Sequence, residues 1–251
     1  MRESTHHANI DGLPRTWPQV AVTEGKVDAT GSAVAEVENA NAVSAGDNVV
    51  LKPQIRDPFG NASTPAPSSL TAEHVKPGSS TWEDLPAPTL KGGVGSYEVH
   101  IEPTRSGTHQ VHIKLDGINI TGSPVSFNVV SGGPSSSKCK VTRAVPPEAE
   151  PILEKQPIAI TVTLYDKYGN QVEHGGVRVD AKASGIGVSS SKTEDNNDGT
   201  YTISLTAGPP GEIKVAVRID GNDLPPYVLT VQKNPNKEDA GGGATEQDAS
   251  E

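Results

Sequence analysis

The chain repeats itself. Gly95-Ser96-Tyr97-Glu98-Val99-His100-Ile101 is matched by Gly199-Thr200-Tyr201-Thr202-Ile203-Ser204-Leu205, an offset of 201 − 97 = 104. Val111-His112-Ile113-Lys114-Leu115-Asp116-Gly117 is matched by Val215-Ala216-Val217-Arg218-Ile219-Asp220-Gly221, again at 221 − 117 = 104. Upstream, Asp57-Pro58-Phe59-Gly60-Asn61 is matched by Asp166-Lys167-Tyr168-Gly169-Asn170 at 169 − 60 = 109, so one loop differs in length by five residues. The three matches fall in the same order in both halves. The chain therefore holds two copies of one domain, which suits its 251 residues.

Each copy reads as β-structure. Tyr97, Val99 and Ile101 alternate with Glu98, His100 and Glu102, and Val111, Ile113 and Leu115 alternate with Gln110, His112 and Lys114. The second copy repeats this with Tyr201, Ile203 and Leu205, then Ile213, Val215, Val217 and Ile219. A period of two sends one set of side chains into a core and the other into water. Short connections, Pro103 to Gly107 and Gly208 to Gly211, join these runs and predict hairpins. Ile158, Ile160, Val162 and Leu164, like Val49, Leu51 and Ile55, make a further strand ahead of the Asp-x-x-Gly-Asn turn. No segment reads as a helix. About seven short strands per ~100 residues is the pattern of a two-sheet, immunoglobulin-like sandwich. Aromatic residues are only 4 % of the chain, so each core must be built from Val, Ile, Leu and Ala.

The expected organisation is an irregular segment over 1–25, with Trp17 packing on the first domain, then repeat one over 26–131 and repeat two over 138–233. Gly132-Gly133-Pro134-Ser135-Ser136-Ser137 reads as a flexible linker, spanning 132–137. The acidic tail, 234–251, carries three successive glycines and no large apolar side chain, so it reads as disordered.

Charge excludes some partners. A net charge of −10 argues against a nucleic-acid phosphate backbone, which needs clustered Lys and Arg, and against an anionic membrane surface. No run of ~18 apolar residues is present, so no membrane insertion is expected. Cys139 is the one cysteine, so no internal disulfide forms, and a reducing compartment is favoured. Met1 to Val22 has no apolar core of the signal-peptide kind. Asn61-Ala62-Ser63 and Asn119-Ile120-Thr121 match the glycosylation sequon.

The chemistry of catalysis is not legible. His100 and His112 are expected outward on paired strands, with His109 inward, and no third ligand at fixed spacing makes a metal set. Glu194-Asp195-Asn196-Asn197-Asp198 lacks the spacing of a calcium loop and reads as a polar turn. Cys139 has no His partner nearby. Lys91-Gly92-Gly93-Val94-Gly95 precedes a strand, whereas a phosphate loop precedes a helix. The expectation is no enzyme, no metal, no cofactor and no small-molecule substrate.

Asn197-Asp198-Gly199-Thr200-Tyr201-Thr202-Ile203 resembles the D-G-T-Y-x-V signature of filamin repeats, and Gly117-Ile118-Asn119-Ile120-Thr121-Gly122-Ser123-Pro124-Val125 resembles their closing G-x-x-I-x-G-S-P-F segment. Asp166 to Asn170 is similar to their D-x-x-G-N/K loop. The resemblance covers roughly residues 26 to 232 and implies two tandem filamin-type sandwiches. Repeat one departs at Gly93-Val94-Gly95-Ser96-Tyr97 and repeat two at Leu224-Pro225-Pro226-Tyr227. It further implies a non-enzymatic cytoskeletal adaptor that binds protein partners by adding a strand to an exposed edge. By that analogy the edge is Val177 to Ala183 in repeat two, beside Val188 to Glu194, and Ser69 to Val75 in repeat one. Val177, Val179 and Ala181 then face the core. Arg178, Asp180 and Lys182 face outward, with Ser189, Ser190 and Ser191 opposite. Thr71 and Glu73 are the outward pair of repeat one. Charges on an edge usually protect it from pairing, and no apolar groove is evident there. The expected setting is cytoplasmic, on actin or on a microtubule structure such as a cilium. The alternative is an extracellular adhesion or carbohydrate-binding sandwich.

Overall fold

The computed structural model describes residues 25–38, 43–188 and 191–235. The segment before Gly25, expected to be irregular with Trp17 packed on repeat one, lies outside the described residues, as do 39–42, Ser189, Ser190 and the tail beyond residue 235. Repeat one comprises β1 (Asp28–Glu38), β2 (Val43–Ser44), β3 (Val49–Arg56), β4 (Leu70–Val75), β5 (Glu83–Asp84), β6 (Thr89–Leu90), β7 (Tyr97–Ile101), β8 (Gly107–Leu115), β9 (Ile118–Asn119) and β10 (Val125–Val130). Repeat two comprises β11 (Lys140–Val145), β12 (Ile152–Leu153), β13 (Pro157–Thr163), β14 (Val179–Ser184), β15 (Lys192–Asp195), β16 (Thr200–Thr206), β17 (Gly211–Ile219), β18 (Asn222–Asp223) and β19 (Tyr227–Gln232).

In repeat one the sheet β1-β3-β7-β6 faces the sheet β2-β10-β8-β4-β5, and in repeat two β11-β13-β16-β15 faces β12-β19-β17-β14. Each is an immunoglobulin-like sandwich. The period-two residues fill it. Val49, Leu51, Ile55, Val111 and Ile113 are fully buried in repeat one, as are Ile160, Val162, Leu164, Ile203 and Val215 in repeat two. Each large aliphatic side chain so buried contributes about 1.5–3 kcal/mol. The two clusters share no residue, so each sandwich has a complete core of its own and is built to fold as a unit.

Two expectations of local structure are corrected. The connections Pro103 to Gly107 and Gly208 to Gly211 are not hairpins. β7 and β8 lie in opposite sheets, as do β16 and β17. Both strands of each pair point apolar side chains into the same core, so alternation and loop length look the same for an arch as for a hairpin. For the same reason His100 and His112 are not on paired strands. His100 meets Glu98, whereas His112 lies edge-on to Trp82, with ring centroids 3.9 Å apart.

The segment between the sandwiches is tied down, contrary to its flexible composition. Ser135 N–H donates to the Tyr165 carbonyl at 2.7 Å, and Gly132 N–H donates to Asp166 Oδ2 at 3.0 Å. Asn170 reaches back across the junction. Its Nδ2 donates to the Thr104 carbonyl at 2.8 Å, and its Oδ1 accepts the Ser106 N–H at 2.9 Å. The Tyr168 ring rests against Gly46, where a Cβ would overlap the tyrosine hydroxyl.

Candidate partner-binding edge

Among the described residues, repeat two leaves a strand edge open. β14 is the last strand of its sheet, paired on one side with β17 in the register Asp180↔Arg218 and Lys182↔Ala216. Asp220 N–H donates to the Arg178 carbonyl at 2.9 Å, which fixes the parity. The backbone groups of Asp180, Lys182 and Ser184 point toward β17, and those of Val179, Ala181 and Ala183 point to the open side. Val179, Ala181 and Ala183 also pack their side chains on the core. Asp180 and Lys182 stand exposed on the outer face, and Arg178 pairs with Asp180 at 2.9 Å. The charges therefore flank the edge without covering it. Val177 and Arg178 precede the strand; Val177 N–H is taken by the Tyr201 hydroxyl at 2.9 Å.

Across the open side lies β15, itself the edge of the other sheet and, among the described residues, paired only with β16. The strand read as Val188 to Glu194 is shorter, Lys192 to Asp195. Ser191 Oγ donates to the Ala181 carbonyl at 3.1 Å, so one acceptor of the edge is held by a hydroxyl that an incoming strand must displace. The sequence contained no signal for that contact. Nor did it single out Ile186, which is 74 % exposed just beyond the end of β14.

The acidic turn beside the edge is structural. Asp195 accepts from Gly176 N–H at 2.7 Å, Asn197 N–H at 2.8 Å and the Tyr201 hydroxyl at 3.2 Å. Those backbone donors hold its carboxyl below the usual range. Burial pushes the Tyr201 hydroxyl up.

Repeat one is different. Its corresponding strand, β4, is covered by β5 through Glu73↔Asp84 and His74↔Glu83, and Leu85 N–H donates to the Ala72 carbonyl at 2.9 Å. The edge expected over Ser69 to Val75 is thus closed by the chain's own return. Outward Glu73 is paired with Lys114 at 2.7 Å, and Thr71 is exposed. Inside the same sheet His74 and His109 are buried side by side, 2.7 Å apart between Nε2 and Nδ1. Cys139 accepts the Tyr165 N–H at 3.4 Å, and burial pushes its thiol up, which leaves it a poor nucleophile.

Comparison with known proteins bears on this geometry. Residues 30–129 match the family model described as GEX2 N-terminal Ig-like domain, and residues 154–233 match Invasin, domain 3. Filamin-C of Mus musculus is 29 % identical over 138 residues, 55 % of this chain and 5 % of that protein. Protein GAMETE EXPRESSED 2 of Arabidopsis thaliana is 24 % identical over 269 residues, 92 % of this chain and 28 % of that protein. The chain spans only a small part of the curated relatives it matches. Among solved structures, the Escherichia coli adhesin FdeC aligns with TM-score 0.53 and 22 % identity over 84 % of this chain and 66 % of its own. Invasin, a bacterial integrin-binding protein, aligns with TM-score 0.52 and 17 % identity over 84 % of this chain and 42 % of its own. These structures share the fold: tandem immunoglobulin-like sandwiches.

Proposed function

We propose that this chain is a non-enzymatic protein-binding module, in which two sandwiches act as a spacer and the β14 edge captures an extended peptide of a partner. The observation that carries the reading is the backbone of Val179, Ala181 and Ala183 turned to the open side of the last strand of a sheet, the geometry that strand addition requires once the Ser191 hydroxyl leaves the Ala181 carbonyl. Asp180 and Lys182 beside it select partners by charge. The filamin-C similarity supports a cytoskeletal adaptor in the cytoplasm or a cilium. Val179→Pro tests the site. It removes an N–H on the open side and leaves the β17 ladder intact. Partners retained by wild type from native extract are lost by the folded variant; equal retention by both rules the β14 edge out.

A second reading, an adhesion module, rests on one observation. The sequon residues Asn61 and Asn119 are both exposed, as glycosylation requires. Mass spectrometry of the native protein separates the readings: occupied glycans support adhesion, and bare asparagines with a reduced Cys139 support the adaptor.

A further inference from the structure

The junction between the repeats is built from a loop that the chain carries twice. In repeat two, Asp166 Oδ1 accepts the Tyr168 and Asn170 N–H groups, both at 2.9 Å, and Oδ2 accepts Asn170 Nδ2 at 2.7 Å. The loop so held puts Tyr168 on Gly46 and Asn170 on Thr104 and Ser106, at the downstream pole of repeat one. In repeat one, Asp57 Oδ1 accepts the Phe59 and Asn61 N–H groups, both at 2.9 Å, and Oδ2 accepts Asn61 Nδ2 at 3.0 Å. Gly25 N–H donates to Asp57 Oδ2 at 3.2 Å, as Gly132 does to Asp166. The geometry is the same but the surroundings differ. Tyr168 is 36 % exposed in its contact, whereas Phe59 is 86 % exposed, a large apolar ring held out by a preformed loop.

We infer that the Asp57–Asn61 loop is a docking face for the downstream pole of an immunoglobulin-like sandwich other than the two described. The pole it fits is defined by the one that Tyr168 and Asn170 occupy: a glycine under the ring, with a carbonyl and an N–H two residues apart beside it. Neither pole of the two described repeats is available. That of repeat one is taken by repeat two. That of repeat two has the same backbone, since Lys155 N–H donates to the Ala207 carbonyl as Gly46 N–H does to Pro103. Its chemistry is altered, however. Lys155 stands where Gly46 does, both at positive φ, so a side chain begins where the ring must rest. Pro210 stands where Ser106 does (210 − 106 = 104), and proline has no N–H to give the asparagine. The contact is heterologous, of the kind that grows into a filament when a chain can bind its own copy. Lys155 and Pro210 remove that outcome and make the loop a one-way acceptor for a sandwich other than these two. A glycan on Asn61 would occupy the same face and exclude it.

The probe is the sandwich 25–131 with Phe59→Ala, whose Gly46 pole is free and whose own loop is disabled. Titrated into the isotope-labelled full chain, it is expected to shift the amide resonances of Phe59, Gly60 and Asn61 in a saturable way. Those shifts should vanish when the full chain carries Phe59→Ala. They should vanish also when the probe carries Gly46→Lys, a change that repeat two shows the fold accepts. Unlabelled full chain should produce none. Absence of loop shifts with a folded probe at millimolar concentration overturns the inference. So do equal shifts from the Gly46→Lys probe, equal shifts from the full chain, or loop resonances that move when residues 1–20 are removed with Gly25 and its bond to Asp57 kept, which would make that segment the occupant.

Discussion

His74 and His109 show how one pair of side chains sets a property of a whole repeat. His109 Nε2 lies 2.7 Å from the Arg105 carbonyl, an acceptor only, so Nε2 carries the proton and Nδ1 is bare. His74 Nε2–H must then donate to that Nδ1. Both rings are neutral in this arrangement. Burial, reinforced by His109 and the Lys76 ammonium and opposed by Glu83, lowers the His74 pKa from its ordinary value to about 4. Burial lowers that of His109 too, with the Lys76 and Arg105 charges adding and the Arg105 carbonyl opposing. The unfolded chain therefore binds protons first as pH falls. Repeat one's stability is complete above about pH 6.5 and declines toward pH 4, by roughly 2 kcal/mol at pH 5 from His74 alone. The corresponding residues of repeat two are Ala183 and Ile213, by the pairings His74↔Val111 and Ala183↔Val215. His74→Ala with His109→Ile is thus expected to flatten the pH dependence of repeat one's melting between pH 7 and 5. A slope that persists in a folded double variant contradicts the assignment. The inward parity of His109 was legible from alternation; its partner was not, because His74 lies on a strand whose pairing no local pattern reports.

At the scale of the element, alternation identified which residues are buried on β3, β7, β8, β13, β16 and β17, because period two survives whichever sheet a strand joins. It did not identify the sheet. The arches after β7 and β16 have hairpin-like lengths, and the pairing of β5 onto β4 spans Lys76 to Trp82, a turn-rich stretch with no alternation to read. That pairing is why one edge is closed and the other open. The turn into β16 was legible: Asp198-Gly199 precedes Tyr201, and Gly199 adopts φ +78°, with a Cβ there overlapping the Val172 carbonyl. Gly199→Ala is expected to destabilise repeat two by about 2 kcal/mol or more while repeat one melts as before. Two-transition calorimetry reads this directly, and an unshifted second transition contradicts it.

At the scale of the molecule, composition misled. Gly and Ser at 132–137 suggested freedom, yet Gly132, Ser135, Tyr168 and Asn170 join the sandwiches through contacts that only the folded repeats bring together. Tyr168→Ala with Asn170→Ala is expected to release them. Residual dipolar couplings from the two repeats should fit one alignment tensor in wild type and two in the variant; a single tensor in both contradicts the junction described. The proposal that matters most is that repeat two captures partners through the open side of β14, and amide exchange tests it most directly. In the free chain, Asp180 and Lys182 amides should exchange slowly and those of Val179, Ala181 and Ala183 quickly. With a captured partner bound, the fast three should become protected. Protection confined to other surfaces, with Val179, Ala181 and Ala183 still exchanging freely, would contradict it.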